Sequence, residues 1–123
     1  METHEISGLV VEAAIRVHRV VGPGKLESAY EACMMHVLKQ YGLKVEAQVP
    51  MPIQFEGVRI DVGYRIDLLV EDKVVVELKS ISKIGFIHQA QILSHIKLGD
   101  FPVGLLMNFN VPRMIDGIMR FAN

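Results

Sequence analysis

From Glu5 to Val21 the apolar side chains Ile6, Leu9, Val10, Ala13, Ala14, Val17, Val20 and Val21 recur at steps of three and four. Steps of that size line one face of a helix, and Thr3 is positioned to cap its start. Gly22-Pro23-Gly24 ends it, because two glycines and a proline do not continue a helix cheaply. A second stripe, Leu26, Tyr30, Cys33, Met34, Val37, Leu38 and Tyr41, predicts a helix from Lys25 to Tyr41, with Gly42 as a left-handed cap. The period then shortens. Val45 to Gln54 reads as an extended edge segment, since Pro50 and Pro52 cannot donate ladder hydrogen bonds. Glu56-Gly57 is a turn, and Val58 to Val70 alternates apolar and polar residues as a long strand. Glu71-Asp72 turns the chain into the strand Lys73 to Ser80. A helix follows from Phe86 to Leu98, and Val103 to Phe109 is apolar enough for a strand buried on both faces. Val111-Pro112 opens a short last helix running to Phe121. The order α-α-β-β-β-α-β-α, without linker, repeat or low-complexity stretch, predicts a single domain over residues 1–123.

Composition narrows the function classes. Hydrophobic residues make up 50% and charged residues 22%, an ordinary globular balance that argues against disorder. The formal net charge is -1, so the bulk-basic footprint of many nucleic-acid binders is missing. A nucleic-acid role must then rest on a local basic patch or a bound cation. Cys33 is the one cysteine, which excludes an internal disulfide framework, a CxxC zinc site and a cysteine-ligated cluster; it reads as a core thiol. No apolar run reaches the roughly 18 residues of a membrane span, and Met1-Glu-Thr-His-Glu has no signal-peptide pattern. A reducing, cytoplasmic setting is the expectation.

Candidate chemistry concentrates in the hairpin. Glu77 and Lys79 lie two apart on a strand and so share a face, while Val74, Val76 and Leu78 cover the other. Burying a Glu and a Lys among valines is unfavourable unless they are paired or bind something. Asp67 sits inside the preceding apolar run. A two-residue turn at Glu71-Asp72 puts Asp67 and Glu77 on opposite faces. A three-residue turn, Glu71-Asp72-Lys73, pairs Val70 with Val74 and sets Asp67 directly across from Glu77. The chemistry requires the second register or a bulge. Two carboxylates so placed repel unless a cation lies between them, and oxygen donors completed by water suit Mg²⁺ or Mn²⁺. Lys79 could then position or deprotonate a water or hold a phosphate oxygen. The competing reading of the same three residues is an exposed cross-strand salt bridge.

Asp67, Glu77 and Lys79 on a hairpin, after a helix and before another helix and strand, resemble the PD-(D/E)XK nuclease superfamily. More narrowly, Gly24-Lys-Leu-Glu27-Ser-Ala-Tyr30 is similar to the signature of the small GxxExxY proteins placed within it. The likeness extends through IDLLVEDKVVVELKS, His88-Gln-Ala-Gln91 and the closing GLLMNFN. It implies an α+β fold with an αβββαβ core and a mixed four-stranded sheet flanked by helices. It also implies metal-binding roles for Asp67, Glu77 and Glu27, a catalytic role for Lys79, and a place near the site for Gln91. At the position where the superfamily often has an aromatic, this sequence has His95.

Read without the resemblance, Glu27 borders the apolar stripe of its helix and can point toward the sheet, or it is simply an acid favoured by the helix dipole. Tyr30 reads as a core residue with a hydrogen-bonded hydroxyl, and Gly24 as a backbone requirement. The five histidines show no HxxxH or HExxH spacing. His88 and His95 share a helix face near Gln91, where ordinary surface histidines or a phosphate contact both fit. Lys79, Lys83, Lys97 and Arg65 form either a basic rim or scattered solvated charges. The expected function is Mg²⁺- or Mn²⁺-dependent hydrolysis of phosphodiester bonds in DNA or RNA. The alternatives are a non-catalytic module of the same fold binding nucleic acid or protein, and a structural homo-oligomer. A homodimer or protein partner is expected from the small size.

Overall fold

A computed structural model describes residues 1–123. The chain forms α1 (Thr3–Val21), α2 (Glu27–Gln40), β1 (Val45–Pro50), β2 (Ile53–Phe55), β3 (Val58–Ile60), β4 (Arg65–Val70), β5 (Val74–Lys79), α3 (Phe86–Leu98), β6 (Val103–Asn108), a 3₁₀ turn (Met114–Gly117) and β7 (Ile118–Ala122). A five-stranded mixed sheet has the order β1-β4-β5-β6-β7, in which only β5 and β6 run parallel. Helices α1 and α2 pack on one face and α3 on the other. The architecture is the expected α+β sheet flanked by helices, with one strand more than expected.

The three helices form where the stripes predict. Ile6, Val10, Ala13, Ala14 and Val17 of α1 and Tyr30, Met34, Val37 and Leu38 of α2 bury against Val74, Val76 and Leu78 of β5. Thr3 does not cap α1, which begins one residue after Glu2; the Glu2 amide donates instead to Glu5 Oε1 at 3.1 Å. Gly42 takes φ +80°. The amides of Gly42 and Leu43 reach back to the carbonyls of Lys39 and Leu38, so the last turn of α2 leaves few carbonyls unpaired. Tyr30 behaves as expected of a core tyrosine. Its ring stacks on Phe109 with centroids 4.3 Å apart, and its hydroxyl donates to Gly22 O at 2.6 Å while accepting from Lys25 N at 3.1 Å. One side chain thus fixes the α1–α2 turn. Cys33 is only half-buried, at the margin of this core rather than inside it.

The opposite face has its own core. Ile66 and Leu69 of β4, Val75 of β5, Ile92 and Ile96 of α3 and Leu106 of β6 pack together there. Gly104 of β6 lets α3 come this close, since a Cβ on it would lie 3.0 Å from both Ile92 and Ile96. Val103–Asn108 is buried at every position, as its apolar run predicts.

Three expectations need correction. Val45 to Gln54 is not one segment: β1 stops at Pro50, and β2 leaves the sheet. Val58 to Val70 is likewise not one strand. Residues 61–64, with Gly63 at φ +84°, separate β3 from β4, so β2 and β3 form a separate two-stranded ribbon. Finally, the segment after Pro112 is not a helix. Met114, Ile115, Ile118 and Met119 fit helical spacing, but β6 has an unpaired edge, and Ile118–Ala122 fills it antiparallel. Ladder hydrogen bonds to a buried strand outweigh a short helix, which is marginal by itself.

Candidate active site

The β4–β5 turn has the three-residue form: Val70 pairs with Val74, Leu69 with Val75 and Leu68 with Val76. The ladder ends there. At the next position the Leu78 amide donates to the side chain of Asp67, at 2.8 Å to Oδ2. On its other side β4 pairs with β1, and that ladder too skips Asp67 and its opposite number Gln48, which holds φ +54°. Around this gap the alternation of β4 breaks: Leu68 and Val70 face the α1–α2 core, yet Ile66 joins Leu69 in the α3 core. The register that the chemistry requires is therefore present, but the expectation that it sets Asp67 directly across from Glu77 on one face is not met. Asp67 turns into the gap toward α2, and Glu77 points toward α3. They meet at the open end of the ladder, where the Asp67 charge is felt by Glu77.

Glu77 is only 7% exposed, and its partner is His95 of α3, itself 9% exposed. His95 Nδ1–H donates to Glu77 Oε1 at 2.7 Å. His95 is thus not the surface histidine that spacing allowed: Ile92 and Ile96 beside it on α3 carry it into the core. Burial pushes the Glu77 carboxyl above the usual range, the Asp67 charge adds to this, and the His95 hydrogen bond opposes both. A carboxyl held above its unfolded pKa keeps its proton in the folded chain after the unfolded chain has lost it. The folded state then binds more protons, and stability falls as pH rises between the two values. In the metal-free protein, stability should accordingly decline as pH rises from the ordinary glutamate range, about pH 4, toward neutrality. Glu77→Gln should flatten that decline and raise the urea midpoint at neutral pH. A Glu77→Gln midpoint that tracks wild type at every pH would refute this electrostatic picture.

Glu27 opens α2, and its Oε2 accepts from the Ser80 amide at 3.2 Å, tying the start of the helix to the end of β5. It lines a cleft of about 150 Å³ together with Asp67, Glu31 and Gln48. Glu31 and Gln48 are site residues that sequence reasoning missed: Gln48 Nε2 donates to Glu31 Oε1 at 2.6 Å and reaches Asp67 Oδ1 at 3.5 Å. Glu31 lies one helical turn after Glu27, a spacing that could have disclosed it; nothing local marks Gln48. Gln91 lies elsewhere. It is exposed on α3, one turn from His95, and the two line a groove of about 290 Å³ with Met51, Tyr64 and Ser94. The cleft is lined by Asp67, and the groove by His95, the partner of Glu77.

Lys79 ends β5 half-buried and makes neither a hydrogen bond nor an ion pair through its ammonium. Lys83, Lys97 and Arg65 are exposed and belong to no ion pair; Arg65 donates only to Gln48 O, at 3.4 Å. His88 caps α3 by accepting the Gly85 amide at 2.8 Å. No three His, Cys, Asp or Glu side chains converge as a metal cluster. The donor set is two carboxylates, Asp67 and Glu77, which suits a hard cation that keeps several waters, as Mg²⁺ does. No helix is long and apolar enough to cross a membrane.

No match was found among curated proteins or among solved structures. The family model of the PD-(D/E)XK nuclease superfamily matches residues 4–121, nearly the whole chain and every element that carries the acids and the lysine. The chain belongs to the PD-(D/E)XK nuclease superfamily.

Proposed function

We propose that this chain is a single nuclease-like domain that hydrolyses phosphodiester bonds in DNA or RNA with Mg²⁺ or Mn²⁺. The observation that carries this reading is the Asp67–Glu77 pair at the open end of the β4–β5 ladder, with an unpaired lysine two residues further along. Nucleases of the superfamily typically use divalent metals on nucleic-acid substrates, and carboxylate oxygens are the donors such an ion prefers. The narrower GxxExxY assignment fits the motif from Gly24 to Tyr30, whose tyrosine fixes the turn before Glu27.

In this reading Asp67 and Glu77 would hold the cation, which would supply Lewis-acid chemistry toward a phosphoryl oxygen and a water. Glu27 keeps the Ser80 backbone in place and stands ready on the Asp67 side. Lys79 has three N–H donors free for a phosphate oxygen or for the attacking water. Gln91, in the groove beyond His95, orients the substrate. The net charge of -1 leaves attraction of the phosphates to the cation and to these local amines. A cytoplasmic setting and a homodimer or protein partner remain part of the proposal.

A second reading, a non-catalytic binding module, draws on one observation: Asp67 and Glu77 are already hydrogen-bonded, to Leu78 N and His95, and no third acid joins them. The experiment is cleavage of labelled single- and double-stranded DNA and RNA with Mg²⁺ or Mn²⁺, comparing wild type with Glu77→Ala. Metal-dependent cleavage lost in the variant supports the nuclease. Binding without cleavage supports the module, and equal cleavage by both proteins rejects the site.

A further inference from the structure

Four contacts join basic side chains to acids, and three of them, Lys44–Glu46, Lys44–Asp72 and Arg59–Asp61, are ion pairs exposed on the surface. The fourth, His95–Glu77, is buried between α3 and the sheet. A buried polar pair of this kind is seldom favoured over well-packed apolar side chains of similar volume. Its neighbours Val75, Ile92, Ile96 and Leu106 show that an apolar pair would fit the surroundings. Stability alone therefore gives a weak reason for an acid and an imidazole here.

The hydrogen bonding is one-sided. His95 occupies Glu77 Oε1 at 2.7 Å, and no donor reaches Oε2. No buried polar side-chain atom in the chain lacks a partner, so Oε2 keeps contact with solvent. The same holds for the second nitrogen of His95, which has no protein partner and lies in a ring that lines the groove with Gln91 and Ser94. Gly104 lets the helix that carries His95 sit close to the sheet, since a Cβ there would lie 3.0 Å from Ile92 and Ile96. The imidazole thus clamps one carboxylate oxygen and leaves the other open, in a carboxyl that feels the Asp67 charge.

We propose that His95 is a positioning residue: its Nδ1–H holds Glu77 in the rotamer that presents Oε2, with Asp67, to a divalent cation. This rests on the reading of Asp67 and Glu77 as the metal-holding pair and goes beyond it, since His95 neither ligates the ion nor touches the scissile bond. Partners that orient a ligand from behind commonly control affinity about 10–100-fold.

The test is Mn²⁺ affinity of the full chain by calorimetric titration, without substrate, for wild type, His95→Leu, His95→Asn and Glu77→Gln. Asparagine places an amide N–H where the imidazole Nδ1–H stood, whereas leucine fills volume and donates nothing. The expected result is binding about 10–100-fold weaker in His95→Leu and most of that loss restored in His95→Asn. A role in packing alone would not rank asparagine above leucine. Wild-type affinity in His95→Leu, or equal weakening in both variants, overturns the proposal while loss of binding in Glu77→Gln leaves the acid site standing. Undiminished binding in Glu77→Gln, or no binding by wild type, rejects the acid site itself and the proposal with it. Should His95→Leu fail to fold, ¹⁵N NMR of the wild-type ring with Mg²⁺ decides. A proton on Nδ1 is required, and a neutral ring protonated only on Nε2 overturns the clamp.

Discussion

Lys79→Ala is expected to lower metal-dependent cleavage by about 10²–10⁴-fold, the range for loss of a positioned proton-transfer group, while Mn²⁺ binding persists. The separation follows from the geometry. Asp67 and Glu77 hold their positions through Leu78 N and His95, and Lys79 contributes to neither contact. Its ammonium makes no ion pair, so removing it leaves no acid newly unpaired and should cost little stability. A lysine left free at the end of a buried strand is available to a substrate phosphate or an attacking water. Lys79→Arg divides these two roles. Arginine keeps the charge but does not give up its proton, so retained cleavage points to phosphate binding and lost cleavage to proton transfer. Cleavage by Lys79→Ala at the wild-type rate would remove Lys79 from the site.

The largest stability effect is expected at Tyr30. Tyr30→Ala should cost about 3–5 kcal/mol, as large aromatic-to-alanine changes in cores do, against a total stability of roughly 5–15 kcal/mol for proteins of this kind. The ring is fully buried, stacks on Phe109 and carries the two hydrogen bonds that close the Gly22–Lys25 turn. Tyr30→Phe isolates the hydroxyl and should cost about 1–3 kcal/mol, because Gly22 O and Lys25 N each lose a partner. Urea midpoints measure both. The turn also sets where α2 begins, and Glu27 is its first residue, so Tyr30→Phe should loosen the Glu27–Ser80 link and raise amide exchange at Ser80. A Tyr30→Phe midpoint equal to wild type would show that the turn is held by other contacts.

The functional assignment and the fold were legible to different depths. Asp67, Glu77 and Lys79 stood out because charged residues inside apolar strands are expensive, and this needs no knowledge of the fold. Spacing left Glu27 open between a side chain turned toward the sheet and an acid favoured by the helix dipole; the structure has it accept the Ser80 amide at the end of β5. Gln91 was found by resemblance, and the structure puts it on the His95 side of the pair, away from Glu27 and Asp67. His95 is not legible in the sequence as a buried partner of Glu77. Its own spacing on α3 does not distinguish a solvated face from one that meets a carboxylate on another strand.

By itself, the sequence determined the elements whose information is local. Helical stripes, the glycine that caps α2 and the doubly buried β6 all follow from spacing and backbone preference within a few residues, whereas the strand pairing itself decided between the two turn registers the sequence left open. Tertiary structure decided what depends on a neighbour. Ile118–Ala122 became a strand because β6 offered an unpaired edge, although its own pattern fits a helix. The ladder opened at Asp67, where a side-chain carboxylate replaced a backbone partner for Leu78 and broke the alternation of β4. His95 entered the core because Gly104 allowed α3 to approach within contact of the sheet. Each is a choice among partners distant in sequence, settled by which polar groups and apolar surfaces found each other once the chain was compact.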